Sequence, residues 1–199
     1  MTAVRGLKQP FLKRHGARLL SALRHLVSAA LKEQPRQQTV NAQAARMLDT
    51  YGNSILRLAY SYLHNQSDAE EVLQDTLLQV LRTAPVLESP QHEKAWLLRV
   101  AANLSKNRLK YNRLRDTDEL SEQLVAEQRE DLSFVWEAVK ALPVPARAAI
   151  HLFYQEGCST AQIASILGRK ESTVRSDLRR GRLQLKQILK EAYDFGPEL

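Results

Sequence analysis

Glycine and proline are scarce in this chain of 199 residues, seven of each. Long stretches free of both disfavour a strand-rich fold, whose turns draw on these residues. A single cysteine, Cys158, excludes an internal disulfide and leaves too few thiols for a zinc site of the usual spacing, a pattern that fits a reducing cytoplasm. The five histidines (His15, His25, His64, His92, His151) are scattered, with no HExxH and no Cys/His cluster, so neither a metal nor a cofactor is expected. No apolar run approaches the roughly 18 residues that a membrane span requires. No nucleophile, base and metal constellation is present either, so the chain reads as a non-enzyme without a small-molecule substrate.

What the chain has is charge, unevenly placed. Its formal net charge is +7 and its pI about 9.7, a balance that suits a polyanionic partner because Lys and Arg displace counterions from phosphates. Residues 1–40 hold 8 basic and 1 acidic residues, and residues 41–115 hold 10 and 7. The sign then inverts, with 2 basic and 8 acidic over 116–141, before 9 and 3 over 142–190. Two basic blocks thus flank an acidic joint. With 44% hydrophobic residues there is enough apolar material for a modest core in each half.

The patterning predicts helices. Ile55, Leu58, Ala59 and Tyr62 share one face of a helix over 41–64. Ser67-Asp68-Ala69-Glu70 reads as a capping box that opens a second helix, whose stripe Ala69, Val72, Leu73, Leu77, Val80, Leu81 ends before Pro85. Ser89-Pro90 opens a long third helix reaching Arg113. Residues 116–131 lack a clean stripe and read as a flexible acidic linker. A helix over 132–142 and another ending near Gly157 follow, separated by Pro143 and Pro145. The expected architecture is all-α: a basic extension over 1–40, a helical domain over 41–115, the linker over 116–131, and a second helical domain over 132–193.

In the extension, Lys32 to Thr39 reads as linker. The leucines from Leu12 to Leu31 admit a basic amphipathic helix able to sit on a membrane or a partner, and the composition also admits a disordered extension from an upstream start codon or a transit peptide.

Two constellations point to DNA. In the second domain, Ser159-Thr160-Ala161-Gln162 repeats the capping-box logic, Gly168 closes a short helix, and a new helix around Ser172 turns Val174 and Leu178 inward. This is a helix-turn-helix pattern. The outer face of its second helix carries Ser172, Arg175, Ser176 and Arg179, with Thr173, Arg180, Arg182 and Lys186 at the flanks, and of these Ser172, Thr173, Arg175, Ser176, Arg179 and Arg180 are the candidate DNA contacts; Arg can grip guanine with two hydrogen bonds, and Ser or Thr can meet bases or phosphates. In the first domain, Arg99, Asn103, Lys106, Lys110 and Arg113 form a polar and basic stripe that could track a phosphate backbone, and Trp96 and Tyr111 beside it offer faces on which an unstacked base could rest. The second helix differs: Asp68, Glu71 and Asp75, with Gln74, form an acidic face that would repel DNA and suits a protein partner. A free-standing helix-turn-helix regulator is the main alternative, and the acidic face and the Trp96 stripe argue against it.

From about Ala44 to Tyr193 the sequence resembles the sigma-70 family, in particular its extracytoplasmic-function group. Asp68-Ala69-Glu70-Glu71-Val72-Leu73-Gln74-Asp75 is similar to the family's region 2.2, and the resemblance implies that Asp68, Glu71, Gln74 and Asp75 dock on the β′ clamp helices of core RNA polymerase. Ala95 to Leu104 is similar to regions 2.3 and 2.4, which implies that Trp96, Arg99, Asn103, Lys106, Asn107 and Lys110 contact the melted minus-10 element. Leu142 to Arg182 resembles region 4, whose helix-turn-helix reads the double-stranded minus-35 element and touches the β flap. Asn107 stands where relatives often have Asp, and the basic extension departs from the usual pattern. A cytoplasmic, nucleoid-associated initiation factor follows from the resemblance, with an anti-sigma factor as a further partner that could hold it at the membrane.

Overall fold

The structure, a computed structural model, describes residues 35–115 and 133–192. Seven helices make up these residues, with no strand among them: α1 (Pro35–Leu63), α2 (Gln66–Thr83), α3 (Pro90–Arg115), α4 (Ser133–Lys140), α5 (Val144–Tyr154), α6 (Thr160–Leu167) and α7 (Glu171–Ala192). The all-α expectation holds. The amphipathic segment around Leu12 to Leu31 and the acidic linker over 116–131 lie outside the described residues.

Two helix starts differ from the sequence reading. The first helix begins at Pro35, inside the stretch read as linker up to Thr39, and Val40 and Asn41 are already 9% and 2% exposed. Proline is well suited to a first helical turn, since its missing N–H is not needed there. The second helix is capped by Asn65 rather than by Ser67: the Asn65 Oδ1 accepts the Asp68 N–H at 3.0 Å, and the Asn65 carbonyl takes the Ala69 N–H. Asn and Ser are near-equal caps, so the earlier one starts the helix once the chain has turned through His64, at φ 54. The third start is as read, with the Ser89 hydroxyl accepting the His92 N–H at 3.1 Å.

The chain falls into two compact units. In one, residues 35–53 pack with Leu77–Val86 around Ala44, Met47, Leu48 and Val80, all at most 1% exposed. The other comprises Ser54–Thr76 and, among the described residues, 87–192. Its core begins with Ile55, Leu58, Leu73, Leu97, Leu98 and the alanines Ala101 and Ala102, and continues through Leu152, Ile163, Val174 and Leu178. Each such buried aliphatic side chain contributes on the order of 1.5–3 kcal/mol. Thr76 and Ser105 are buried here without loss, because each hydroxyl donates to the carbonyl one turn back, Val72 and Ala101, at 2.7 Å.

Within this second unit α5 and α7 cross at Gly181. A Cβ there would stand 2.7 Å from Ile150 Cδ1 and 3.2 Å from Ala146 Cβ, so the missing side chain sets the approach. Buried Arg147 joins two helix ends: its guanidinium donates to the Lys140 carbonyl at 2.6 Å and to the Tyr62 carbonyl at 3.3 Å. The last carbonyls of a helix lack intrahelical partners, and a cation meets both their hydrogen-bonding need and the negative end of the dipole.

Candidate nucleic-acid interface

The helix-turn-helix is built by local chemistry at each corner. Ser159 caps α6: its hydroxyl accepts the Gln162 N–H at 3.3 Å, while its own N–H donates to the Gln162 side chain at 2.8 Å. Gly168 ends the helix at φ 64, ψ 42, with its N–H on the Ala164 carbonyl. This left-handed cap is the conformation in which glycine carries no Cβ penalty. The turn then starts α7, where Val174 and Leu178 are 0% and 2% exposed. Thr160 at the start of α6 donates to Glu171 at the start of α7, 2.6 Å apart, which ties the two helices at their N-termini.

Ser172, Thr173, Arg175, Ser176, Arg179 and Arg180 are all exposed on α7, as the spacing predicts. Their charges are not equally available. Arg175 donates to Glu171 at 2.7 Å, and Arg180 to Asp177 at 2.8 Å, whereas Arg179 has no ion-pair partner among the described residues. Hydrogen bonds from Thr160 and Arg175 hold the Glu171 carboxyl below its usual range. At the flank, Arg182 donates to the Tyr154 hydroxyl at 2.9 Å, with its guanidinium 5.2 Å from the Phe153 ring centroid.

Sequence reasoning missed Asp177. It is 4% exposed and pairs with both Arg169 of the turn and Arg180, each at 2.8 Å. Its place three residues after Val174, on the inward stripe, is the signal that could have revealed it.

On α3 the second constellation is partly presented and partly engaged. Arg99, Asn103, Asn107 and Lys110 are exposed, and Trp96 is half-buried beside them. Arg99, however, donates from Nε to the Ser165 carbonyl at 3.0 Å, and Lys106 donates to the Leu167 carbonyl at 3.2 Å. Both carbonyls belong to the last turn of α6. Desolvation, and the nearby Arg169 charge, lower the Lys106 pKa.

The acidic face on α2 is likewise divided. Arg108 pairs with both Asp68, at 2.9 Å, and Glu71, and Asn112 donates to the second Asp68 oxygen at 2.7 Å. Desolvation lowers the Arg108 pKa, and the hydrogen bonds and charges of Asp68 and Glu71 outweigh it to leave a net rise. Asp68 is therefore a brace between α2 and α3, its side chain 15% exposed, while Glu71 and Asp75 face solvent and Gln74 is half-exposed.

A further acid was not foreseen. Glu156, its side chain 2% exposed, receives Arg57 at 3.1 Å and Lys94 at 2.8 Å, and Lys94 also donates to its carbonyl at 3.1 Å. Burial pushes its pKa up, but hydrogen bonds and charge from Lys94, with Ser54 and Arg57, prevail and hold it down at about 2. His151 lies beside it, Nε2 3.9 Å from the carboxylate, and burial lowers its pKa to about 4.

Family models divide the chain in the same order as the motifs. Residues 47–115 match "Sigma-70 region 2" and residues 135–185 match "Sigma-70, region 4". The SigM extracytoplasmic-function (ECF) RNA polymerase sigma factor of Mycobacterium tuberculosis is 31% identical over 137 residues, 67% of this chain and 70% of that relative. The chain belongs to the sigma-70 family. A second sigma-70 relative, the ECF factor SigE of Mycolicibacterium smegmatis, is 34% identical over 154 residues, 70% of this chain, which spans 58% of that relative's length. Among solved structures, the sigma factor RpoE from Bartonella quintana, in complex with the anti-sigma factor NepR, aligns with a TM-score of 0.61 at 27% identity, covering 73% of this chain and 95% of that one. The helix-turn-helix is thus region 4 of a sigma-70 protein, and α2 and α3 belong to region 2.

Proposed function

We propose that this chain binds core RNA polymerase and directs it to promoters, reading an upstream duplex element with α7 and a melted downstream element with α3. The observation that carries this reading is the joint presence, in order, of both sigma-70 regions, with Ser172, Thr173, Arg175, Ser176, Arg179 and Arg180 on the exposed face of a capped helix-turn-helix. Trp96, Arg99, Asn103, Lys106, Asn107 and Lys110 are assigned to the melted strand, with exposed Asn103, Asn107 and Lys110 as its first contacts. Glu71, Gln74 and Asp75 are assigned to the polymerase clamp, and Asp68 supports them by fixing Arg108 between α2 and α3.

The function needs no covalent step from this chain, since the polymerase carries the chemistry. An anti-sigma partner is part of the proposal, supported by the likeness to RpoE in its complex with NepR. The helices described here include none long and apolar enough to cross a membrane. A cytoplasmic, nucleoid-associated setting follows from the proposed partners.

The test is reconstitution. Purified chain is mixed with core polymerase and genomic promoter fragments, and transcript starts are mapped. Defined starts that depend on the chain are expected; binding of duplex DNA without polymerase binding would instead favour a free-standing regulator.

A further inference from the structure

From the turn into the first part of α7 the cations outnumber the acids: residues 169–180 hold five Lys and Arg against Glu171 and Asp177. A face of that charge binds any duplex, because each cation that reaches a phosphate releases counterions whatever the sequence. Phosphate contacts position a protein, and base contacts specify the site. Selective reading is therefore sharpened when some of these cations are kept from the backbone.

Asp177 is placed to do this. It lies on the inward stripe with Val174, Leu178 and Gly181, all buried, where an apolar residue would be the ordinary filling. Both of its oxygens are engaged: Oδ1 receives Arg180 and Oδ2 receives Arg169, each at 2.8 Å. The acid's side chain is 6% exposed, while those of Arg169 and Arg180 are 29% and 68% exposed. Only the acid is buried, so its loss would return the guanidinia to solvent rather than strand them as buried charges. Arg169 is also tied by its backbone, whose N–H donates to the Ala164 carbonyl of α6 at 2.9 Å. Through Arg169, Asp177 thus fastens the second turn of α7 to the end of α6.

We propose that Asp177 is a positioning residue that sets the specificity of duplex reading: it holds Arg169 and Arg180 back from the phosphates and fixes the angle at which Ser172, Arg175, Ser176 and Arg179 meet the groove. The inference rests on the reading of α7 as the duplex reader. Without the carboxylate, the two freed guanidinia strengthen binding to any duplex that can shift to meet them. A duplex held in register by base contacts gains less, and it loses the fixed angle. Specificity is a difference of affinities, and that difference narrows.

The test uses the full chain and fluorescence anisotropy, at salt from about 50 to about 200 mM. Two duplexes are compared, one that the parent chain enriches from a random pool and a scrambled one of the same composition. Asp177→Asn keeps the shape and removes the charge. It should make the logarithmic salt slope for the scrambled duplex steeper by about 1–2, since each added phosphate contact contributes about 0.9. Scrambled binding at the lowest salt should tighten on the order of tenfold, and the preference for the enriched duplex should fall about fivefold. Glu88→Gln, an exposed change of equal charge before α3, should alter neither quantity. In the Asp177→Asn background, Arg169→Gln together with Arg180→Gln should restore the parent slope, a rescue that a damaged fold would not show. If Asp177→Asn reduces the helical circular dichroism signal, Asp177→Leu, a branched apolar side chain suited to the buried stripe, takes its place and is read the same way. An unchanged slope in a folded variant overturns the holding back of the arginines, even where chain-dependent transcript starts are mapped. A steeper slope with an undiminished preference overturns the role in specificity. A pool from which the parent enriches no sequence overturns α7 as the duplex reader, and the role of Asp177 with it.

Discussion

Acid should loosen this protein at a pH where few of its carboxylates have begun to titrate, and His151 is the main reason, joined by the less buried His64, whose pKa burial and the Arg147 charge also lower to about 4. The His151 side chain is 5% exposed, and burial, opposed by Glu156 and aided by the Arg57 and Lys94 charges, lowers its pKa from 6.5 to about 4. The unfolded chain accepts a proton as pH falls through 6.5, while the folded chain refuses it until about 4. Stability is therefore complete above 6.5 and declines as pH falls, and linkage gives a loss of about 2 kcal/mol from this group between pH 7.5 and 5. Glu156 adds little in that window, because a carboxyl held at about 2 loses its stabilisation only as pH falls below about 4.5. Urea unfolding followed by circular dichroism at the two pH values measures the loss, and His151→Gln should suffer about 2 kcal/mol less of it. In the native state the His151 ring proton signals should shift near pH 4 by NMR. A midpoint near 6.5, or equal acid losses in the variant and the parent, would refute the burial argument.

Three other outcomes follow from single positions. Gly168→Ala places a Cβ on a residue at φ 64 and should cost about 1–2 kcal/mol, read as a lower denaturation midpoint, even though no atom stands within 4 Å to clash with it. Ala84 is at φ 41 after α2, so Ala84→Gly should act in the opposite direction, raising the melting temperature by about 2–4 °C for about 1 kcal/mol of relieved strain. Arg179→Ala should weaken binding of an upstream promoter duplex at least about tenfold by fluorescence anisotropy, whereas Arg182→Ala, whose guanidinium is held by Tyr154, should cost less. Equal losses would contradict that division of roles.

The parts of the fold that were legible in the sequence are those fixed within a few residues. The Ser159 box, the Gly168 turn and the inward pair Val174 and Leu178 depend on local hydrogen bonding and helical spacing, and each stands as read. The start of α1 was missed because Gln37, Gln38 and Thr39 carry no apolar stripe, and only the burial of Val40 and Asn41 makes a helix worthwhile there. Ser67 was a reasonable cap that lost to Asn65 two residues earlier, since either side chain can satisfy the free N–H groups. Within the site, the exposure of the α7 face could be read from period alone. The roles of Glu156 and Asp177 could not, because a lone acid acquires its meaning from cations that are distant in sequence or brought near by a turn. Arg57 and Glu156 are 99 residues apart.

That difference between local and distant partners also sorts the arginines of α7. Arg175 and Arg180 are equally exposed, 68% of each side chain, and each is paired to an acid of its own helix. Glu171 is 38% exposed, so the Arg175 pair is a surface pair that solvent screens, and a phosphate or a guanine edge can take the guanidinium over at little cost. Asp177 is 6% exposed and relies on Arg180 and Arg169 together, so removing Arg180 leaves a buried carboxylate with half its compensation. A phosphate drawing on Arg180 must therefore compete with the group that stitches the turn to α7, whereas one drawing on Arg179 displaces no partner among the described residues. On the proposed reading, the number of arginines on the face thus overstates its pull on DNA: Arg179 and Arg175 would supply affinity, and Arg180 would mainly hold the angle at which they are presented.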